Sequence, residues 1–238
     1  MRSALSLLSI DADRIRCTAL EAPFWSWGDG DFWKLDDLEG VTADRTGNIY
    51  AITSHSRDSN GDERKSRERL VRFRIEGESV VDPRVIGSLK VALAAAHPEL
   101  AASAGIRQVK SEGGLNIEAL EMSADQSRLL IGFRSPLLGE WAIIASIENP
   151  GAIFDGDEQP RIGATLTTLD LGSNGIRGMA WVTSLAGYLL IGGPMAREQL
   201  EFDLWFWAGG DENRPRRVSV AGLSGFEHAE GISEAVID

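Results

Sequence analysis

The chain is poor in the residues that most often carry covalent or metal chemistry: it has one cysteine, Cys17, and three histidines in 238 residues. A single thiol excludes an intrachain disulfide and a thiolate metal cluster. Basic residues are also short, 24 Lys and Arg against 36 Asp and Glu, giving a formal net charge of −12. Nucleic-acid binding needs clustered Lys and Arg, so no nucleic-acid partner is expected. Long apolar runs are missing. The N-terminal run from Ala4 to Ile10 stops at Asp11 with no small-residue cleavage site, and reads as a strand rather than a signal peptide. Nothing approaches the roughly 18 residues of a membrane span, so a soluble, cytoplasmic protein with no membrane partner is expected. There is no Gly-x-Ser-x-Gly elbow, Walker loop or His-Glu-x-x-His, and Gly28-Asp29-Gly30 runs into Asp31-Phe32-Trp33 without completing a dinucleotide fingerprint. These absences argue against a nucleotide-dependent or redox enzyme.

What is present is a repeat. Leu38-Glu39-Gly40-Val41, Ile117-Glu118-Ala119-Leu120, Ile176-Arg177-Gly178-Met179 and Ala229-Glu230-Gly231-Ile232 align, with spacings of 79, 59 and 53 residues. A polar turn and a second apolar run follow each of the first three: Gly47 to Ile52, Ser127 to Gly132 and Gly187 to Gly192. The last two spacings approach the size of a four-stranded β-propeller blade. The first is longer because it contains Leu89 to Ala104, an Ala- and Leu-rich stretch broken by Pro98 that reads as a helical insertion. Within the third unit, Gly175 to Trp181, Gly187 to Gly192, Phe202 to Ala208 and Pro215 to Gly222 are four strand-like runs between turns. Asn60-Gly61 is a type I′ hairpin signal.

The expected fold is therefore all-β: a β-propeller of four-stranded blades in one domain, with about four blades visible and the ring incomplete or truncated. Residues 1–35 supply outer strands and an aromatic linker. Blades follow at 36–90, 115–170 and 175–222, and 228–238 is the first strand of a further blade. An open ring would leave sheet edges unpaired.

Several stretches together resemble an uncharacterised bacterial β-propeller family, a domain of unknown function. They are Asp37 to Val41, Thr53-Ser54-His55-Ser56-Arg57, Asn116 to Leu120, Ile131 to Leu137, Arg177-Gly178-Met179 and Ala229 to Ile232. More distantly, the Glu-Gly hairpins are similar to esterase-like phytase propellers. The resemblance runs from about Asp36 to the C-terminus. It implies a propeller and carries over no activity.

In a propeller the innermost strand of each blade lines the central channel, so the second tetrad residues, Glu39, Glu118, Arg177 and Glu230, would face one axis. Such a ring would attract a cation or an amphoteric ligand, and a divalent cation could be its cofactor. The competing reading is architectural: each Glu accepts backbone N–H groups of the next blade and locks the ring. His55 and Arg134 follow the second strands of their units and break the repeat, so both are ligand-binding candidates that could serve acid–base or phosphoester chemistry, or else polar loop residues. Phe24 to Trp33 holds five aromatics, a stacking platform for a flat ligand or a packing wedge between blades. Its acidic residues, like Asp58 to Glu63, lack the full calcium-loop pattern. Two functions remain open. One is a binder of a small molecule or metal at the channel, with hydrolysis of phosphoesters or other esters as its extension. The other is a non-catalytic module for a protein partner, working through the aromatic segment and the basic stretch Arg64 to Arg69.

Overall fold

The computed structural model describes residues 5–11, 14–20, 31–195, 202–210, 214–222, 225–226, 229 and 231–234. Among the described residues, fourteen strands fall into one hairpin and three four-stranded sheets, all antiparallel. The hairpin pairs β1 (Ser6–Asp11) with β2 (Arg14–Ala19). Sheet one is β3 (Leu38–Ala43), β4 (Ile49–Thr53), β5 (Leu70–Glu76) and β6 (Ser79–Ile86). Sheet two is β7 (Asn116–Met122), β8 (Leu129–Ser135), β9 (Ala142–Ile147) and β10 (Thr167–Leu169). Sheet three is β11 (Gly175–Val182), β12 (Gly187–Gly193), β13 (Asp203–Trp207) and β14 (Arg216–Val218). In each sheet spatial order follows chain order. The chain is thus mostly β, as expected, and the third unit's strands fall where its apolar runs placed them. The described residues between 228 and 238 form no strand.

Helices stand between β6 and β7, where the chain passes from sheet one to sheet two, and between β9 and β10 within sheet two. The expected insertion is two helices, α1 (Leu89–Ala96) and α2 (Pro98–Ala104), separated at His97 because Pro98 cannot continue α1 but suits the first turn of α2. A short α3 (Val109–Glu112) and α4 (Pro150–Asp155) were not foreseen. Asn60-Gly61 does not make a type I′ hairpin: only Gly61 has positive φ, and its N–H closes a turn on the Asp58 carbonyl inside the β4–β5 loop. No described helix is long and apolar enough to cross a membrane.

The sheets stack through apolar faces. Tyr50, Ile52 and Leu70 of sheet one meet Ile117, Leu120, Leu129 and Ile131 of sheet two, and Leu93, Leu100 and Phe154 from the helices join them. The other face of sheet two packs Ala119, Leu130 and Ile144 against Ile176, Met179, Tyr188 and Leu190 of sheet three. The outer face of sheet one is covered by Leu5, Leu20 and Phe32. Backbones come close where the first strands meet. A Cβ on Gly40 would lie 2.7 Å from the Leu120 amide nitrogen, and one on Gly175 would lie 2.0 Å from the Arg134 carbonyl oxygen. Gly40, the small residue of its tetrad, thus lets β3 approach β7, while Gly175 lets β11 approach the second strand β8.

Candidate functional site

The second tetrad residue occupies the same irregularity in all three sheets. Pairing of β3 with β4 shifts register between Leu38 and Gly40, of β7 with β8 between Ile117 and Ala119, and of β11 with β12 between Ile176 and Gly178. Glu39, Glu118 and Arg177 are the residues skipped. A β-bulge gives the strand one unpaired residue and re-aims its side chain, so each sheet turns this position out of its regular alternation. The tetrads also converge in space: Glu39, Gly40, Glu118, Ala119, Gly178 and Gly231 line one cavity of about 190 Å³. Glu230 lies outside the described residues, as do His228 and the aromatic residues from Phe24 to Trp27.

Glu118 is the centre of a buried charge cluster. Its Oε1 accepts from Asn116 Nδ2 at 2.9 Å, Arg134 NH1 at 3.2 Å and Arg177 NH1 at 3.3 Å, while Oε2 lies 2.9 Å from Arg177 Nε. All three charged side chains are less than a tenth exposed. Arg134 also donates to the Met195 carbonyl at 2.6 Å, and Arg177 stacks its guanidinium 5.2 Å from the Phe202 ring centre. The cluster therefore ties β7 and β8 of sheet two to sheet three. Burial pushes the Glu118 carboxyl up, and the guanidiniums of Arg177 and Arg134 oppose it. Glu118, Arg134 and Arg177, all named from sequence, are thus brought together, and Glu118 takes side-chain donors rather than the backbone N–H groups of the architectural reading.

The carboxylate that does accept backbone groups across sheets is Glu121, which sequence reasoning passed over. Its Oε1 accepts from Met122 N at 2.7 Å and Thr42 Oγ1 at 2.5 Å, and its Oε2 from Trp181 N at 3.1 Å, linking the first strands of all three sheets. Its signal was its spacing, three residues after Glu118, where the bulge has already switched the strand's faces.

His55 lies apart from this cluster. Register places Ser54 opposite in role to Arg134, one residue past the Thr53–Leu38 pair, and places His55 at the level of Ser135. The His55 ring is fully buried. Its Nδ1–H donates to the Thr53 carbonyl at 2.8 Å, while Nε2 is buried without a hydrogen-bond partner. Burial pulls its pKa down to about 4, and the charges of Lys90 and Arg69 push the same way. The residue also holds φ at 55°, a left-handed conformation uncommon outside glycine. It is a neutral imidazole closed off from solvent, carried on backbone in the left-handed region.

The remaining candidates have structural partners. In the basic stretch, Arg64 pairs with Asp58 at 2.7 Å and Arg67 with Asp36 and Asp37 at 2.9 and 3.2 Å. Asp58 holds the loop by accepting from Asn60 N and Asp62 N. His97 Nε2 lies 2.9 Å from the Gly163 carbonyl and ends α1. Phe32, from the aromatic segment, is core, edge-on to Phe73 at 5.4 Å. Among the described residues no group of three or more His, Cys, Asp and Glu side chains converges as a metal site. No protein-family model matches the chain, and no curated protein matches it.

Proposed function

We propose that the chain is a β-propeller of four-stranded blades that binds a small amphoteric molecule at the point where the repeated tetrads meet. The carrying observation is the convergence of four separate tetrads on one cavity, with Glu39 and Glu118 in its lining and Arg134 and Arg177 directly behind Glu118. Two carboxylates and two guanidiniums balance in charge, which suits a ligand bearing both an ammonium and an acid group. At about 190 Å³ the cavity is below the ~300 Å³ where drug-sized pockets begin, so the ligand is small. Binding is favoured over ester hydrolysis because both Glu118 oxygens are occupied by donors and His55 is sealed from solvent. The motif resemblance to propellers of unknown function supports the architecture and leaves the ligand to experiment.

A ligand that binds only the folded chain raises its melting midpoint. The test is a thermal melt of the full chain with amino acids, simple amines, carboxylates and phosphates, and with calcium, manganese or zinc against a chelator. The reading expects a rise with an amino-carboxylic acid, reduced in Glu39→Gln. A rise with metal alone, or none across the panel, would overturn it.

A further inference from the structure

The crevice between sheets two and three has no counterpart in the central cavity and was not singled out by any sequence motif. It encloses about 530 Å³, within the range of small-molecule sites. One wall is a cross-strand row of aromatics on sheet three: Trp181 pairs with Tyr188, and Tyr188 with Trp207. Tyr188 stacks on Trp207 at 5.0 Å and 28°, and meets Trp181 edge-on at 5.0 Å. The facing wall, from sheet two and the segments beside its strands, is mixed: Ser146, Glu148, Arg128 and Thr165 supply polar groups beside Leu130, Ile144 and Ala145. Ser146 Oγ donates to Glu148 Oε1 at 2.5 Å, so the carboxylate is already oriented.

The repeat supplies an internal control. Matched by register, the row Met122, Leu129, Ile147 of sheet two stands where sheet three has Trp181, Tyr188, Trp207. That aliphatic row faces sheet one, where the crevice is plugged from within the chain. Phe154 of α4 packs there against Tyr50 at 5.7 Å and beneath the Arg72 guanidinium at 5.1 Å, and Arg72 grips Asp155 with two hydrogen bonds. The register equivalents of Tyr50 and Arg72 are Leu130 and Ser146, both in the lining of the open crevice. The place taken by the Phe154 ring in one crevice is thus cavity in the next. There the walls have changed from aliphatic to aromatic on one side and to hydroxyl and carboxylate on the other.

We infer that this crevice binds a pyranose ring of a glycan. A sugar ring is six-membered like the missing plug, presents a C–H face to Trp181, the partly exposed ring of that row beside the buried Tyr188 and Trp207, and carries hydroxyls that need donors and acceptors such as Ser146, Glu148, Arg128 and Thr165. A purely aromatic occupant would leave those polar groups unpaired on burial. The site is independent of the central cavity, so a chain carrying Glu39→Gln retains it.

The experiment is saturation-transfer NMR and calorimetry on the full chain with methyl pyranosides and short neutral oligosaccharides, and with indole and phenol as flat ring controls. Saccharide binding is expected, weakened at least ten-fold by Trp181→Ala and several-fold by Glu148→Gln. Glu148 is partly exposed, so this variant keeps the fold if the tryptophan variant loses it. Saccharide binding that survives both substitutions, binding of indole and phenol alone, or no saccharide binding at millimolar concentration would overturn the inference.

Discussion

Replacing Glu118 by alanine should cost the protein more than any other single loss of charge in the tetrads. The substitution removes the carboxylate that pairs with both Arg134 and Arg177, whose side chains are each 8% exposed. Breaking a buried ion pair by deleting one partner typically costs about 3–5 kcal/mol, because the remaining charge stays buried and uncompensated. Here two charges are left, although neither is stripped of partners: Arg134 keeps the Met195 carbonyl and Arg177 keeps, among others, the Phe202 ring. The low end, roughly 3 kcal/mol, is therefore the working figure. For a chain of this length each kcal/mol moves the midpoint by about 2–4 °C, so Glu118→Ala should melt roughly 6–12 °C below the parent. Thermal melts followed by circular dichroism, with urea titrations at constant slope, measure this directly. Changing Glu118, Arg134 and Arg177 together to methionine should recover most of the loss, since an apolar replacement of a whole buried cluster is often neutral. A Glu118→Ala protein melting within 2 °C of the parent, or above it, would refute the clasp. A rise would mark Glu118 instead as a strained group kept for function at a cost in stability.

Two further predictions come from the backbone and the buried imidazole. Gly175→Ala places a Cβ 2.0 Å from the Arg134 carbonyl, whereas Gly178→Ala makes only an ordinary 3.4 Å contact with Gly231, so the first should lose at least about 3 kcal/mol and the second under 1; equal midpoints for the two would contradict the close approach. For His55 the folded pKa, about 4, is below the unfolded value near 6.5. Its contribution, roughly 3 kcal/mol from a shift at about 1.4 kcal/mol per unit, is present above pH 6.5 and lost as pH falls towards 4. His55→Asn, a residue that tolerates positive φ, should flatten the stability profile between those values, and an unchanged slope would mean the ring is not held neutral.

The tetrads and the hairpins after them were legible because they are local: four residues of fixed type, leading in the first three cases to a turn and a second apolar run. The strands of sheet three followed from the same pattern. What the sequence concealed is set by pairing between distant segments. Arg134 is 16 residues from Glu118 and Arg177 is 59, so nothing local says that both guanidiniums close on one carboxylate. The Phe154 plug was missed because Pro150–Asp155 is too short to show helical periodicity, and it becomes visible only through the Tyr50 ring it packs against. His55 was read with the charged ring because it follows a second strand; the pairing register, which puts Ser54 and not His55 at the level of Arg134, and its bond to the Thr53 carbonyl remove it from that company.

The tetrad itself can now be derived rather than recognised. In a regular strand, residues three apart face opposite sides. Yet Ile117 and Leu120 share the core between sheets one and two, and Ile176 and Met179 share the next. Only an extra residue between them reconciles that spacing with a pleated strand, and the register shifts put it at Glu118 and Arg177. A side chain at a bulge belongs to neither apolar face, so it can be charged without costing core. The residue after it, Gly40 in the first tetrad, lies where β3 comes against β7, so that position has to stay small, and glycine or alanine stands there in the other tetrads. Apolar, charged, small, apolar is thus the shortest sequence that bends a first strand, turns a charge out of its sheet and lets the next sheet pack against it. Once every sheet carries that sequence, a set of charges at a common centre is a geometric consequence. Selection for function then acts on which charges they are, and an Arg standing where the other tetrads have Glu is where such selection is to be sought.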